Sequence, residues 1–541
     1  MLATSSLTGS VAQLAFNSNA HAAAPEINGF NDYRALVCIM LHGGNDSMNM
    51  FIPTAENIHT GYQAYAQIRG DLAVANVDLG LSSICDGSDL NHGNLGKGSA
   101  NPYYDKGNQS NAYTRGLYDL SAQGIPLGVN GVMPELAQLI TDNKASIIAN
   151  VGNLVEIVSR EQIQDESARL PFFLFAHNHQ RREMETGQAD NLTDIGWAGK
   201  IADHWQGINE NSPLGLNIAY HVNSRMLTGF KTTPLVLGTN ETPNYKGMVL
   251  GSTSNRDRRA IQKALSGQQN ISGSGKIRFD QNNTFITNDP FQKLYNRIQK
   301  KSIDIFDLLH EVLKNNQIKY QSTDSYGLPL FSKLKSRDLG FSDSRNSLIK
   351  QLREVAKMIQ LGASNKFNRG RYNRQIFFVQ AEGYDTHSGQ ADLHPLLLRE
   401  LSLALWKFQK AMEEKQLVNQ VITFTMSDFG RTMKNNGNGT DHGWGASHIV
   451  LGGDGKALAG NLRGGQLFGQ LPDVTLRGSD DYSSKGRIIP GIAQDQLNAT
   501  LCHWFGLDQK KIAQIFPNLS NFELKAGDIS SSFIQNLFAS F

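Results

Sequence analysis

Aspartate and histidine side chains recur in loops that adjoin short apolar runs of this sequence. Carboxylates and imidazoles together suit zinc or manganese, whereas calcium and magnesium prefer oxygen ligands alone. A ligand in such a loop is well placed, because open α/β sheets bind ligands beyond the carboxyl ends of their strands. The candidate metal ligands are Asp46, Asp385, His387, Asp428, Asp441, His442 and His448.

The four loops differ in how they meet the apolar runs. Those that bring Asp46, Asp385 and Asp428 directly follow a run, whereas the fourth precedes the run at 447–453 and must reach the site as a loop. An isolated aspartate after a strand more often caps a helix or makes a turn. Four loops together, two of which carry histidine, favour a shared metal site.

Other polar residues have two possible roles each. The guanidinium of Arg431, three residues after Asp428, could hold a phosphate or sulfate oxygen, or it could pair with a neighbouring carboxylate. His177 and His179 lie in the polar segment at 172–205. They could bind substrate or metal, or they could be ordinary polar residues at the start of a helix. The sequence leaves these alternatives open.

Strands and helices are needed to position these loops. Five short apolar runs are typical of buried strands. They cover residues 35–41, 146–152, 375–380, 420–426 and 447–453. Residues 391–414 have apolar positions at helical spacing, and Pro134 predicts the first turn of another helix. A strand, a helix and a strand at this spacing predict a crossover, and therefore a parallel sheet with helices on its faces.

The composition limits the class of protein. The chain has 541 residues, of which 40% are hydrophobic and 18% are charged, as is typical of a soluble globular protein. A net charge of +2 indicates no general attraction to nucleic acid or to anionic lipid. The three cysteines match no zinc motif, and no apolar run after the N-terminal segment approaches the length of a membrane span.

Two regions differ from the predicted sheet domain at 25–541. Residues 1–24 resemble the remnant of an export signal, with a mildly apolar centre and an Ala-His-Ala sequence but no basic start. We therefore expect a truncated signal peptide and a periplasmic or secreted protein. Residues around 240–345 are rich in polar residues and glycine, which predicts a partly helical insertion or cap.

Five segments together resemble a known family. They are LHGGNDSMNMFIP, GWAGKIAD, GYDTHSGQ, SDFGRTMKNNGNGTDHGWGASHIVLGG and DQLNATLCHWFG. On these segments the chain is identified as a member of domain-of-unknown-function family 1501, over about residues 30–520. That family consists mostly of exported bacterial proteins, and it resembles the alkaline phosphatase and sulfatase superfamily.

The resemblance implies a fold and a set of metal ligands. The fold would be α/β, a three-layer α/β/α sandwich of the alkaline phosphatase-like type with a partly helical insertion. The ligands would be Asp46 after the first strand, Asp385 and His387 on one ion, Asp428 on a second ion, and a late histidine, either His442 or His448.

The sequence departs from the superfamily pattern at two points. Phe429 stands where the superfamily has a histidine ligand, so the second ion could be absent, or Asp441 and His442 could replace the ligand. Ala176 stands where a hydroxyl nucleophile could be expected, and Ser47, adjacent to Asp46, is another candidate. Without a covalent nucleophile, such an enzyme would use metal-activated water.

We therefore expect an exported, metal-dependent hydrolase of phosphate or sulfate esters, with one or two divalent ions of zinc, manganese or calcium. Arg431 would hold an oxyanion and His177 or His179 would shuttle protons, on a small-molecule or polymeric ester. The alternative is a noncatalytic secreted binding or assembly protein on a phosphatase-like scaffold, possibly one that binds glycans. The missing histidine and the missing nucleophile favour this alternative.

Overall fold

The computed structural model describes most of the chain outside the N-terminal segment and the middle region. The described residues are 30, 32–81, 112–191, 195–205, 208–209, 215–239, 319–325, 327–331, 347–363, 374–456 and 458–539. The expected signal remnant at 1–24 lies outside them. The expected insertion at 240–345 also lies outside them, except for 319–325 and 327–331.

The described chain contains both helices and strands. The helices are α1 (Tyr62–Arg69), α2 (Pro134–Thr141), α3 (Arg160–Gln164), α4 (His177–Thr186), α5 (Trp197–His204), α6 (Ser347–Ala363), α7 (Gln390–Glu414), α8 (Gln494–Phe505) and α9 (Gln509–Ile515). The strands are β1 (Arg34–His42), β2 (Phe51–Pro53), β3 (Leu117–Asp119), β4 (Leu127–Asn130), β5 (Ala145–Gly152), β6 (Asn217–Tyr220), β7 (Leu235–Leu237), β8 (Arg374–Glu382), β9 (Val421–Ser427), β10 (Arg431–Asn435), β11 (Thr440–His442), β12 (Ala446–Gly452), β13 (Leu467–Phe468) and β14 (Ile492–Ala493).

A large mixed sheet forms the centre of the molecule. Its described strands number nine and run in the order β13-β5-β12-β9-β1-β8-β6-β7, with β14 beside β5. The five strands predicted from the apolar runs are present as β1, β5, β8, β9 and β12. The prediction of a parallel sheet is correct for β8, β1 and β9 but wrong for β12, which is antiparallel to β5 and β9. The connection between β9 and β12 contains the hairpin β10-β11 and no helix, whereas parallel strands are usually joined through a helical crossover.

Helices cover both faces of this sheet. Alternate residues of β1 enter two cores: Val37 and Ile39 belong to the core that includes α2, α6 and α7, whereas Cys38 and Met40 belong to the core that includes α5, α8 and α9. The predicted helix at 391–414 is α7, and it carries the chain from β8 to β9, on opposite sides of β1. Each helix within the described ranges is too short or too polar to span a lipid bilayer.

The three parallel strands β8, β1 and β9 end at one edge of the sheet. In their pairing, His42 lies opposite Glu382 and Leu41 lies opposite Ser427. The loops that follow these strands therefore begin side by side, and they carry Asp46, Asp385 and Asp428.

Candidate metal centre

Glycine allows the loops after β1 and β8 to touch. Gly43 has a φ of +116°, and a Cβ atom there would lie 2.4 Å from the backbone nitrogen of Asp385, so no other residue fits without displacement. The backbone N–H of Gly43 also donates to Oδ2 of Asp428 at 3.1 Å. This single residue thus connects the three strand-end loops.

Three side chains at this junction could together hold a metal ion. They are His177, Asp385 and His442, and one ligand atom of each lies within 4.8 Å of the others. Nε2 of His442 lies 3.2 Å from Oδ1 of Asp385, and Nε2 of His177 lies 3.5 Å from Oδ2 of the same carboxylate. The side chain of Asp385 is 44% exposed, so the group is open to solvent.

The second ring nitrogen of each histidine is held by an acceptor. Nδ1 of His177 lies 2.7 Å from Oδ2 of Asp428, and Nδ1 of His442 lies 2.8 Å from the carbonyl oxygen of Phe175. Both Nδ1 atoms therefore carry a proton, and in the neutral rings both Nε2 atoms offer a lone pair toward Asp385. Nε2 of His177 is buried and has no hydrogen-bond partner among the described residues. In metal sites, a hydrogen bond from the second ring nitrogen to an acceptor orients the histidine ligand in this way.

The charges at this site favour the protonation states that a metal ion requires at Asp385 and at His442, but not at His177. Burial would raise the pKa of Asp385, but the hydrogen bond and charge of Arg431 outweigh burial and hold this pKa below its usual value. Burial lowers the pKa of His442, and the nearby charge of His177 adds to the effect. The hydrogen bond with Asp428 raises the pKa of His177. At neutral pH, Asp385 is therefore an anion and His442 is neutral, as a metal ligand must be.

Arg431 is buried and its guanidinium is engaged by protein groups. Nη1 donates to Oδ1 of Asp385 at 2.7 Å and to the carbonyl of Gly43 at 3.4 Å. Nη2 donates to the carbonyl of Thr440, and Nε donates to the hydroxyl of Thr440 at 3.3 Å. Of the two roles predicted for Arg431, the structure shows the ion pair with a neighbouring carboxylate, that of Asp385.

His387 and Asp441 lie beside the group of three. Nε2 of His387 is 3.1 Å from Oδ1 of Asp385 and 2.8 Å from Nε2 of His442. Nδ1 of His387 is 3.4 Å from Oδ1 of Asp441. The other carboxylate oxygen of Asp441, Oδ2, is 3.5 Å from Nζ of Lys485. His387 is thus close enough to Asp385 and His442 to serve as a further ligand.

Asp46 and Ser47 are engaged elsewhere. Nη1 and Nη2 of Arg69 donate to Oδ2 and Oδ1 of Asp46 at 2.8 and 2.7 Å, and Nε2 of Gln390 donates to Oδ2 at 2.5 Å. The hydroxyl of Ser47 accepts a hydrogen bond from the backbone N–H of Ser447 at 2.8 Å and is buried. Neither residue belongs to the group of three ligands.

Two further candidate histidines also lie outside the group. The ring of His179 packs on Phe173, with 4.3 Å between ring centroids. His448 lies inside β12, where burial lowers its pKa to about 4. Phe429, by contrast, is part of the site: its ring centroid lies 4.7 Å from that of His177 and 4.6 Å from that of His442. Phe429 forms an apolar wall at the position where the superfamily resemblance would imply a histidine ligand.

Three contributors to the site were not predicted. Gln390 stands inside the segment GYDTHSGQ, so the sequence contained a signal for it. Arg69 is the last residue of α1, where a basic residue ordinarily complements the helix dipole. Phe175 contributes its backbone carbonyl. Because every residue has a backbone carbonyl, the residue types in the sequence do not indicate this contact.

No curated protein matches this chain. The crystal structure of Ps i-CgsB is similar with 10% identity and a TM-score of 0.29, over 72% of this chain and 72% of that one. The crystal structure of Ps i-CgsB in complex with k-i-k-neocarrahexaose is similar with 9% identity and a TM-score of 0.29, over 72% of this chain and 72% of that one. This similarity is too weak to support an argument about fold or function. The model of the family described as "protein of unknown function (DUF1501)" matches residues 33–525, and the chain therefore belongs to that family.

Proposed function

We propose that this chain is an exported, metal-dependent hydrolase of phosphate or sulfate esters on an alkaline phosphatase-like α/β/α scaffold. The observation that carries the proposal is the pair of histidines around Asp385. Each has its Nδ1 fixed by an acceptor and its Nε2 directed at the same carboxylate. Export is proposed from the signal-like segment at 1–24.

The donor set fits a divalent ion. His177, Asp385 and His442 combine two imidazoles and one carboxylate, which suits zinc or manganese. Within the part of the chain that the structure describes, the buried Nε2 of His177 has no hydrogen-bond partner, so a ligand would satisfy an otherwise orphaned atom. When bound there, a divalent ion would polarise an ester oxygen and lower the pKa of a water molecule.

The surrounding residues would prepare the site and manage charge. Arg431 keeps Asp385 ionised and in place, and Asp428 orients His177. Because the guanidinium of Arg431 is engaged, the ammonium of Lys485, 54% exposed, is better placed to meet a substrate oxyanion. His387, 44% exposed and next to Asp441, is suited to move a proton.

The test measures metal content and ester hydrolysis on the purified protein. We expect the wild type to retain a divalent metal and to hydrolyse an aryl phosphate or aryl sulfate, with activity lost on chelation. Asp385→Asn and His442→Ala should lose both metal and turnover. His59→Gln, at a histidine whose side chain is 58% exposed, is the matched control and should lose neither. A wild type that binds no zinc, manganese or calcium and hydrolyses no ester would refute the proposal.

A noncatalytic binding or assembly protein is the second candidate. Two observations favour it: the hydroxyl of Ser47 is buried in a hydrogen bond, and Phe429 fills the place of a histidine ligand. This candidate predicts a metal-loaded protein that is inert toward phosphate and sulfate esters yet is retained by glycan polymers in pull-down assays. Any ester turnover that a chelator abolishes would exclude it.

A further inference from the structure

Asp46 and Arg69 form an ion pair at the carboxyl end of β1 that is closed to solvent. Both side chains are 0% exposed, and the guanidinium contacts both carboxylate oxygens. Asn435 donates to the backbone carbonyl of Arg69 at 2.6 Å and so holds its main chain, and the ring centroid of Tyr65 lies 5.9 Å from the guanidinium carbon.

This ion pair leaves Asp46 unsuited to bind a metal ion. Its Oδ2 accepts hydrogen bonds from Arg69 and Gln390, and its Oδ1 accepts one from Arg69. An ion at Asp46 would have to displace the guanidinium, which would then remain buried without a counterion. Breaking a buried ion pair in this way is strongly unfavourable.

Hydrogen bonds connect Asp46 to the candidate metal ligand Asp385. Oε1 of Gln390, whose amide donates to Asp46, accepts a hydrogen bond from the hydroxyl of Thr440 at 2.6 Å. The same hydroxyl accepts from Nε of Arg431, and Nη1 of Arg431 donates to Asp385. Asp46 therefore supports the orientation of Asp385 without touching the ligand group.

We infer that the metal centre holds a single ion, and that Arg69 is the resident cation at Asp46, a residue that the superfamily resemblance would make a metal ligand. The inference rests on the metal-binding part of the proposed function. Asp46 is then a positioning residue, and the guanidinium supplies a fixed positive charge that chelation does not remove. The apolar ring of Phe429, in place of a histidine, agrees with a single-ion centre.

Metal stoichiometry tests this inference independently of activity. The metal-depleted full chain would be titrated with zinc, and the bound ions would be counted by native mass spectrometry and by calorimetry. We expect one ion per chain in the wild type. Asp46→Asn should still bind one ion, with affinity lowered by about 10–100-fold, as for other residues that orient a ligand from outside. Asp385→Asn should bind none.

A double variant guards against misfolding of Asp46→Asn. Asp46→Leu combined with Arg69→Met replaces the buried pair by apolar groups of similar volume, an exchange that buried ion pairs often tolerate. It should also bind one ion. A wild type with two ions, one of which is lost in either Asp46 variant, would overturn the inference but leave the metal-binding proposal standing. A wild type with no ion would contradict the proposed function, and the inference with it.

Discussion

At the scale of single residues, Gly43 sets how closely the loops after β1 and β8 approach each other. Gly43→Ala would place a Cβ atom 2.4 Å from the nitrogen of Asp385, at a φ of +116° that side chains disfavour. We expect the free energy of unfolding to fall by more than about 2 kcal/mol, since left-handed strain alone costs about 1–2 kcal/mol. Zinc affinity should fall as well, because Asp385 is displaced. Urea unfolding and zinc titration measure the two effects.

Gly124→Ala is the matched control for this prediction. Gly124 also has a positive φ, +75°, but a Cβ atom there would meet no atom of the described residues within 4 Å. It should cost only the conformational strain, about 1–2 kcal/mol, and leave zinc affinity unchanged. Equal zinc affinities in the two variants would show that Gly43 does not position Asp385.

The roles of single residues were only partly predictable from the sequence. Asp46 and Asp385 both follow apolar strands, and residue types and spacing predict a ligand at each. Their environments differ because Arg69, 23 residues beyond Asp46, and Gln390, 344 residues beyond it, converge on Asp46 alone. That convergence depends on the packing of α1 and α7, which no local pattern of residues encodes.

At the scale of elements, helix α4 carries His177 at its first residue and Glu183 on its buried side. Glu183 accepts a hydrogen bond from Gln180 at 2.7 Å, and burial raises its pKa from 4.5 to about 9. The folded protein thus retains a proton that the unfolded chain releases above about pH 4.5. Stability conferred by this group is complete below that pH and is lost as the pH rises toward about 9.

Glu183→Gln should therefore flatten the pH dependence of stability. We expect the fall in unfolding free energy between about pH 5.5 and pH 8.5 to shrink by at least about 1 kcal/mol, as measured by urea unfolding. Asp495, whose burial raises its pKa to about 7, acts in the same direction, so part of the slope will remain. Glu161→Gln, at an exposed position on α3, should keep the full slope. An unchanged slope in Glu183→Gln would contradict the assignment.

The loop at 473–487 is a second element that supports the site, and Asp481 holds it together. Oδ1 of Asp481 accepts from the backbone N–H groups of Ser483, Gly486 and Arg487. The guanidinium of Arg487 lies 4.0 Å from the ring centroid of Phe175, whose carbonyl orients His442. Release of this loop should therefore disturb a metal ligand at a distance.

Asp481→Ala should lower zinc affinity by about 10–100-fold, the range for residues that orient a ligand from outside. Limited proteolysis should show faster cleavage within 473–487. Asp473→Ala removes the acceptor for the backbone N–H of Thr475 in the same loop, and it should speed cleavage with a smaller effect on zinc. Wild-type zinc affinity in Asp481→Ala would show that the loop does not orient His442.

At the scale of the whole molecule, buried ion pairs join distant parts of the chain. Arg399 of α7 pairs with Glu135 of α2 with both side chains 1% exposed, and Ser325 donates to the same carboxylate. Arg399→Met leaves Glu135 unpaired and should lower the free energy of unfolding by about 3–5 kcal/mol. Arg169→Met breaks a pair in which the arginine is 57% exposed, and it should cost no more than about 1 kcal/mol. Similar costs in urea unfolding would contradict this difference.

The strands were predictable, whereas their order was not. Five apolar runs predict β1, β5, β8, β9 and β12 with ends that differ by no more than two residues, because buried strands need continuous apolar sequence. The order of strands requires β1 to lie between β8 and β9, and β12 to reverse direction. These choices follow from helices that pack on both faces, and from a β9–β12 connection that contains a hairpin in place of a helix, rather than from the composition of any strand.

The central position of β1 has a consequence for how the protein is made. Arg34 pairs with Arg374, 340 residues later in the chain. At about 5–20 residues per second, a ribosome would need roughly 15–70 seconds to supply the first partner of β1. During that time one of the most apolar strands of the nascent protein has two unpaired edges, so we expect this chain to depend on chaperones during synthesis. Fragments truncated before residue 374 should aggregate rather than fold.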